Sequence, residues 1–125
     1  MRLLLDTHVL LWWLADDQTL GAGTRSTIAA ADNLVFVSAA SAWEISIKRS
    51  LGKLDAPSDL IAQLERNRFE PLSITVDHAY AAGALPHHHE DPFDRILVAQ
   101  ALAEELTLVT RDPRLDAYGV TAFKA

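Results

Sequence analysis

The stretch Arg2-Leu3-Leu4-Leu5-Asp6 sets the pattern for the whole chain. Its apolar run is too short for a helix and ends at an acidic residue, so it predicts a buried strand. The residues from Thr7 to Ala15 are then predicted to form a helix. A second apolar strand is predicted over Leu34-Val35-Phe36-Val37. Strands that are apolar throughout are typical of a parallel sheet covered on both faces.

The rest of the chain continues this alternation of helices and strands. Helices are predicted over residues 24–31, 38–51, 57–66, 76–85 and 92–105, with a short one from Pro113, and strands over 71–74, 107–110 and 120–123. Asp91-Pro92 and Asp112-Pro113 mark helix starts, because Asp caps a helix and Pro fits its first residue. Short strands that alternate with helices predict an α/β fold of three layers, α/β/α, around a short central parallel sheet.

The composition predicts one compact domain spanning residues 1–125. Half of the residues are apolar and 22% are charged, which suits a single core. The absence of cysteine excludes disulfides and thiolate metal sites, and it is in keeping with a reducing cytoplasm. No apolar stretch approaches the roughly 20 residues that a membrane helix needs. We therefore expect a cytoplasmic protein without a membrane partner.

The net charge of −6 argues against a basic surface for nucleic acid, because phosphate contacts normally rely on clustered Lys and Arg. This argument fails if several acids converge on divalent cations, which reverse the sign of the local field. Ligands of parallel α/β folds bind at the carboxyl ends of the strands. The acids near those ends therefore decide what the chain can bind.

Four carboxylates lie at or just after the points where a predicted strand ends and a helix begins. They are Asp6, Glu44, Asp94 and Asp112. Each has a structural explanation, since Asp6 and Asp112 can cap helices and Asp94 can complement a helix dipole. Glu44 can complete a capping box with Ser41 or pair with Lys48 one turn later. Taken singly, these structural explanations are the favoured ones.

The four acids taken together point to a bound cation. Clustered carboxylates repel one another unless a cation neutralises them, and no lysine is obviously interposed. Hard oxygen ligands, without Cys and without a His at ligand spacing to an acid, favour Mg²⁺ or Mn²⁺ over Zn²⁺. Such an ion activates water and stabilises the charge of a phosphoryl transition state. The chemistry implied is phosphodiester hydrolysis.

Several segments together resemble PIN-domain ribonucleases and, more narrowly, the VapC-type toxins of bacterial toxin–antitoxin pairs. The segments are Leu4-Leu5-Asp6-Thr7-His8, Ser38-Ala39-Ala40-Ser41-Ala42-Trp43-Glu44-Ile45, Asp91-Pro92-Phe93-Asp94-Arg95 and Leu108-Val109-Thr110-Arg111-Asp112. The resemblance covers essentially the whole chain in the right order. It implies a PIN-like α/β/α fold whose acids bind Mg²⁺ or Mn²⁺ and cut single-stranded segments of RNA.

The resemblance also assigns roles and partners. Asp6, Glu44 and Asp94 match the three core acids of the family, and Asp112 matches a fourth position that the family fills less uniformly. The hydroxyls of Thr7 and Thr110 are candidates for supporting the site. The family further implies a homodimer and a cognate antitoxin whose tail occludes the active site.

The mechanism we expect assigns different tasks to the four acids. Asp6 and Asp94 hold the ion that activates water, and Glu44 and Asp112 complete its shell or hold a second ion. The attack displaces the 3′ oxygen, so the products should carry a 5′ phosphate. Products with 2′,3′-cyclic phosphate ends would instead mean that the RNA's own 2′-hydroxyl attacked.

Two groups of rings are interpreted structurally. The histidines of His87-His88-His89 point in alternating directions in an extended loop, so we expect a solvated loop before a metal site. Trp43 is predicted to lie in the core. Trp12 and Trp13 project about 100° apart on a helix, so one is predicted to be core and the other to join an exposed apolar patch.

Two arginines are candidates for contacting RNA phosphates. Arg95 and Arg111 adjoin the predicted acids in sequence. Their alternative role is helix-end charge complementarity and solvation of the surface.

Two other functions compete with the nuclease. A catalytically silent PIN scaffold would bind RNA or protein without cutting, and the presence of all four acids argues against it. A phosphoacceptor signalling module would need paired acids after the first strand and a lysine after the last core strand. The chain has Asp6 alone and Arg111 near the lysine's place, which disfavours this function.

Overall fold

A parallel sheet of five strands forms the centre of the computed structural model, which describes all residues from Met1 to Ala125. The elements in chain order are β1 (Arg2–Leu5), α1 (Thr7–Leu14), α2 (Ala22–Ala29), β2 (Leu34–Ser38), α3 (Ala39–Ser50), α4 (Leu60–Arg66), β3 (Glu70–Leu72), α5 (Val76–Ala84), α6 (Pro92–Glu104), β4 (Thr107–Thr110), a 3₁₀ helix (Pro113–Tyr118) and β5 (Ala122–Lys124). None of the helices has the length and apolar character needed to cross a membrane.

The strand order places β1 in the middle of the sheet with β4 beside it. The order is β3-β2-β1-β4-β5, and every neighbouring pair is parallel. The chain lays β2 and β3 on one side of β1 and then crosses to the other side for β4 and β5. Ligands of open α/β sheets bind at such a reversal. Since Leu5 is in register with Val109, Asp6 and Thr110 emerge side by side at this point.

Successive residues of β1 enter two separate cores, as expected for a strand buried on both faces. Leu3 and Leu5 pack in a cluster with buried residues of α1, α2 and α3. Leu4 packs in a second cluster with Leu97 and other apolar residues of α6. The predicted three-layer α/β/α fold with a central parallel sheet is thus confirmed.

The predicted cap of α6 is confirmed in detail. The Asp91 carboxylate accepts hydrogen bonds from the backbone N–H groups of Phe93 and Asp94, and Pro92 is the first helical residue. The capping box predicted at Ser41 is wrong. The Ser38 side chain caps α3 instead, by accepting from the Ala40 N–H. Ser41 therefore lies inside the first turn of α3.

The tryptophans depart from their predicted places. Trp43 is 62% exposed rather than buried, and its ring lies edge-on to Phe93 with centroids 5.4 Å apart. Trp12 and Trp13 are both half-buried against the first core, so neither is the fully buried residue that was expected. Trp13 also donates a hydrogen bond from its indole to Asn67 Oδ1.

Candidate functional site

An open cleft of about 340 Å³ lies at the carboxyl edge of the sheet, beside β1 and β4. Four carboxylates and two imidazoles are among the groups that line it: Asp6, Asp91, Asp94, Asp112, His8 and His89. Three of the acids are predicted site residues. The fourth predicted acid, Glu44, does not line the cleft, but its charge contributes to raising the pKa of Asp94.

Asp6 is buried directly after β1 and caps α1. Its Oδ1 accepts a 2.8 Å hydrogen bond from the His8 backbone N–H. Its Oδ2 accepts a 2.8 Å hydrogen bond from the Thr110 hydroxyl, which is itself buried. The Thr110 hydroxyl oxygen also accepts from the Asp112 N–H at 3.1 Å. Thr110 therefore links Asp6 to the backbone of the segment that carries Asp112.

Thr7 lies next to Asp6, but its hydroxyl contacts another element. Its Oγ1 is 2.9 Å from the Ser41 hydroxyl, and both residues are buried. This hydrogen bond ties the start of α1 to the first turn of α3. Glu44 lies three residues after Ser41, on the same face of α3. Thr7 thus fixes the helix that carries Glu44 and makes no hydrogen bond to an acid.

Glu44 is a buried carboxylate with one oxygen paired and the other unpaired. Lys48 Nζ donates to Oε2 at 2.5 Å, whereas Oε1 is buried without any hydrogen-bond partner. The hydrogen bond to Glu44 raises the pKa of Lys48, and the charges of Asp91 and Asp94 raise it further. The expectation that no lysine is interposed among the acids is therefore wrong.

Asp94 lies in the first turn of α6, and both its burial and its acidic neighbours act on its carboxyl. Burial raises its pKa to about 7, and the charges of Asp6, Asp91, Glu44 and Asp112 act in the same direction. Its Oδ2 contacts His89 Nε2 at 2.9 Å. A carboxyl surrounded by other carboxylates resists ionisation until a cation offsets their charge.

Asp112 follows β4 and has all its acceptor positions filled. Its Oδ1 accepts from the backbone and Nε of Arg114, both at 3.0 Å. Its Oδ2 accepts from Arg114 Nη2 at 2.9 Å and lies 3.2 Å from His89 Nε2. The hydrogen bonds to Arg114 lower the pKa of this carboxyl. Because each carboxylate oxygen has two lone pairs, Asp112 is less open to a cation than the other three acids.

One of the three loop histidines faces inward. His87 and His88 are exposed as expected, but His89 is buried and lies between Asp94 and Asp112. One nitrogen of His89 and one oxygen from each acid lie within 4.8 Å of one another. The interpretation of the whole triplet as a solvated loop is thus wrong for His89. The sequence signal for its inward orientation was that His89 lies two residues before Asp91, the cap of α6.

Arg95 does not have the predicted contact with phosphate, because its guanidinium is buried in the protein. Its Nη atoms donate to five backbone carbonyls and the Tyr118 hydroxyl. The carbonyls belong to Ala82, Gly83, Leu85, Pro86 and His89. The guanidinium thus satisfies backbone carbonyls in the last turn of α5 and in the segment that follows it. Arg95 therefore shapes the loop that carries His89.

Arg111 does line the cleft, and its guanidinium stacks on an aromatic ring. Its central carbon lies 4.7 Å from the centroid of Trp12. Its Nε donates to the Ala125 carbonyl and its Nη2 to the Thr19 carbonyl, at 2.9 and 2.6 Å. The side chain is exposed but held in place. It thus presents a fixed positive charge at the rim of an acidic cleft.

The carboxylates in the cleft and the neighbouring Glu44 together fit a hard divalent cation. Asp6, Glu44 and Asp94 each retain unpaired oxygen lone pairs, and Glu44 Oε1 is an acceptor buried without a donor. A buried acceptor without a partner is costly unless a bound group satisfies it. Burial and, after it, the charges of the neighbouring acids raise the pKa of Asp94, and a bound cation would offset both effects. Carboxylate oxygens are the ligands that Mg²⁺ and Mn²⁺ prefer.

Comparison with known sequences gives one family and a curated relative. The PIN domain family model matches residues 3–120. Ribonuclease VapC22 from Mycobacterium tuberculosis (strain ATCC 25618 / H37Rv) is 33% identical over 115 residues. The matched region covers 90% of this chain and 88% of that protein.

Solved structures share the fold at lower sequence identity. The structure of VapBC2 from Rickettsia felis bound to a DNA fragment from their promoter contains a chain that matches with a TM-score of 0.74 and 16% identity, covering 99% of this chain and 98% of that one. A toxin-antitoxin complex from Klebsiella pneumoniae matches with a TM-score of 0.67 and 19% identity, covering 96% and 94%. These likenesses extend along nearly all of the chain.

Proposed function

The chain belongs to the PIN domain family, and from this premise we propose that it is the endoribonuclease toxin of a toxin–antitoxin pair, dependent on Mg²⁺ or Mn²⁺. The observation that carries the proposal is the convergence of Asp6, Glu44 and Asp94 around one edge of the sheet, with a buried Glu44 oxygen left without a partner. The name of the mycobacterial relative supports the activity. The named complexes support the toxin role.

The hydrogen bonds that each acid already makes determine whether it can hold the ion. Asp6, Glu44 and Asp94 would hold the ion, and Asp112 would join them only when Arg114, whose side chain is 63% exposed, moves away. A bound divalent ion supplies activation of water and stabilisation of phosphoryl charge. Thr110 orients Asp6 through its hydroxyl. Thr7 acts indirectly, because its hydrogen bond to Ser41 holds α3 in place.

The proposed hydrolysis determines which groups the ends of the RNA fragments carry. Water forms a bond to phosphorus while the bond from phosphorus to the 3′ oxygen breaks. The 3′ oxygen leaves with a proton as a hydroxyl, and the phosphate stays on the 5′ end of the downstream fragment. Arg111, fixed at the rim of the cleft, is in place to contact a neighbouring phosphate of the RNA.

The partners follow from the same proposal. A cognate antitoxin would cover the cleft with its tail, and the toxin would act in the cytoplasm, where its RNA substrate is found. We also propose that residues 1–125 act as one PIN domain and assemble as a homodimer. In support of the homodimer, Val76 and Tyr80 on α5 are 85% and 75% exposed, and exposed apolar side chains of this kind favour protein contacts.

The experiment that tests the nuclease uses the purified chain without antitoxin and a mixed pool of cellular RNA. Mn²⁺ or Mg²⁺ should produce discrete cuts whose downstream fragments carry 5′ phosphates. The cuts should disappear with EDTA and in Asp94→Asn. Asp77→Asn is the matched control, since Asp77 is an exposed acid in the first turn of α5, and it should cut like the unchanged protein. Fragments ending in 2′,3′-cyclic phosphate would overturn the mechanism.

A catalytically silent PIN scaffold is the second candidate, and two ion pairs favour it. Lys48 neutralises Glu44 and Arg114 neutralises Asp112 in the absence of metal. A scaffold of this kind would not need a cation. Failure of Mn²⁺ to bind or stabilise the folded protein, together with RNA binding without cleavage, would support the scaffold and overturn the nuclease.

A further inference from the structure

We propose that His89 is a positioning residue whose Nε2–H group holds Asp94 and Asp112 together, and that it does not itself ligate the metal. This inference rests on the proposed function, because it concerns how the chain prepares its acids for a cation. It goes against the plainest interpretation of the cluster, in which a histidine between two carboxylates supplies a nitrogen ligand.

The hydrogen bonds around the ring fix its tautomer. The backbone N–H of Asp91 donates to His89 Nδ1 at 3.1 Å. A backbone N–H can only donate, so Nδ1 carries a lone pair and the proton of the neutral ring resides on Nε2. Nε2 lies 2.9 Å from Asp94 Oδ2 and 3.2 Å from Asp112 Oδ2. The Nε2–H group therefore donates a hydrogen bond to Asp112, and Asp94 Oδ2 lies in close contact with the same nitrogen.

The same tautomer disfavours a bond from His89 to a metal. A histidine that ligates a metal through one nitrogen donates its other ring N–H to a carboxylate, carbonyl or water. In His89 the other nitrogen faces an N–H donor from the α6 cap. Ligation through Nε2 would move the proton to Nδ1 and set two N–H groups against each other. The ring is built to donate toward the acids.

The backbone of His89 is held as firmly as its ring. Its N–H donates to the Tyr118 hydroxyl at 2.9 Å, and its carbonyl accepts from Arg95 Nη1 at 3.1 Å. The residue is buried. A side chain fixed at both ring nitrogens and at both backbone groups cannot turn away when a ligand arrives. His89 therefore sets the separation of the two acids before a cation binds.

This arrangement has a consequence for the affinity of the site. Asp94 comes from α6 and Asp112 from the segment after β4, and two nearby carboxylates repel each other. The His89 N–H donates to Asp112 and lies against Asp94, so its positive end offsets this repulsion and keeps one oxygen of each acid in a defined place. Losing it should weaken Mn²⁺ binding by about tenfold, the lower end for partners that orient metal ligands.

The first test measures by spectroscopy which nitrogen of the His89 ring carries the proton, in the chain of residues 1–125. In the metal-free state at pH 8, ¹⁵N NMR of the imidazole should show the proton on Nε2. With Mn²⁺ bound, pulsed EPR should show no directly coordinated ¹⁴N. A proton on Nδ1 in the metal-free state, or a strong ¹⁴N coupling that disappears in His89→Ala, would overturn the inference.

Variants supply a second test by Mn²⁺ calorimetry. His89→Ala should raise the Mn²⁺ dissociation constant about tenfold, whereas His89→Gln, whose amide donor lies near the position of Nε2, should restore most of the affinity. His87→Ala changes an exposed neighbour and should bind Mn²⁺ normally. If folded His89→Ala binds Mn²⁺ as tightly as the unchanged protein, the proposed role of His89 is overturned while the proposed nuclease stands. Failure of the unchanged protein to bind Mn²⁺ would overturn the proposed nuclease as well.

Discussion

The Thr110 hydroxyl donates a 2.8 Å hydrogen bond to Asp6 Oδ2 across 104 positions of the sequence. Asp6 directly follows β1 and Thr110 is the last residue of β4, and the register of these strands brings Leu5 beside Val109. The bond therefore crosses the point at which the strand order reverses. It orients a carboxylate from one strand with a hydroxyl from the next.

Thr110→Val should lower the Mn²⁺ affinity and the cleavage rate by about tenfold each, because a hydrogen bond to a charged group contributes about 1.5–3 kcal/mol. Valine keeps the shape of threonine but lacks the hydroxyl. Thr110→Ser keeps the donor and is the matched control. Calorimetry with Mn²⁺ and single-turnover cleavage provide the measurements. Equal loss in both variants would show that packing, rather than the hydrogen bond, is what matters at this position.

Asp94→Asn should stabilise the metal-free protein at pH 8 by about 1–2 kcal/mol, a value reduced for screening because the side chain is 21% exposed. Burial and the neighbouring acids raise the pKa of Asp94 to about 7. Between about pH 4 and 7 the folded state thus binds more protons at Asp94 than the unfolded state. Stability from this group is present at low pH and is lost as the pH rises through 7.

Urea unfolding at pH 4.5 and pH 8 tests this prediction. The gain from Asp94→Asn should appear at pH 8 and shrink at pH 4.5, where the carboxyl is neutral. Saturating Mn²⁺ should stabilise the unchanged protein at pH 8 much more than the variant, because the variant lacks one ligand. A variant less stable than the unchanged protein at pH 8 would contradict the raised pKa.

The fold and the closeness of Asp6, Asp94 and Asp112 were predictable because their signals are local. Short apolar runs give the strands, and Asp-Pro pairs give two of the helix starts. Parallel strands then bring the residues that follow them to one edge, so a cluster of Asp6, Asp94 and Asp112 could be expected. The Glu44–Lys48 pair was open as a structural alternative. That this pair lies among the other acids depends on the packing of α3, which spacing along one helix does not report.

The failed predictions share a geometric cause. Trp43 and Arg95 are each one residue from an acid of the site, and one residue on a helix is a turn of about 100°. When Glu44 faces the acids, Trp43 faces solvent. When Asp94 faces the cleft, Arg95 turns to the end of α5. Successive side chains in an extended loop point in alternating directions, so all three histidines could not face one ion. This alternation still allows one of them to turn inward.

Arg95→Lys should destabilise the protein by about 3 kcal/mol, because it leaves buried carbonyls without donors. The guanidinium reaches carbonyls over residues 82–89, whereas a lysine ammonium is a compact point charge with three donors. Arg66→Lys is the control, since Arg66 pairs with Asp59 on the exposed surface and such pairs contribute little. Urea unfolding measures both. Equal effects would show that the α5 end does not depend on this side chain.

Arg111→Gln should flatten the salt dependence of RNA binding by about 0.7 in the slope of log K against log salt, the value for one phosphate contact on a single strand. Binding is measured with Asp94→Asn as the background, so that RNA is not cut. Arg68→Gln is the control, because Arg68 is an exposed arginine that lines a different cavity, with Glu70 at the start of β3. An unchanged slope would limit Arg111 to its stack on Trp12 and its carbonyl contacts.

Lys48→Met should make the metal-free protein less stable and its Mn²⁺ binding tighter. Lys48 pairs with Glu44 Oε2, so its loss leaves a buried carboxylate unpaired, which costs about 3 kcal/mol. The same loss removes a positive charge that competes with the cation for Glu44, and about 1.4 kcal/mol of relief corresponds to a tenfold lower dissociation constant.

Arg49→Met is the matched control for Lys48→Met, because it removes one positive charge from the next residue of α3 but from an exposed side chain. It should leave both quantities nearly unchanged. Calorimetry at pH 8 and urea unfolding without metal measure them. A variant that merely misfolds would lose stability and Mn²⁺ affinity together. Only a lysine that competes with the cation predicts that the two change in opposite directions, so weaker Mn²⁺ binding in Lys48→Met would contradict this role.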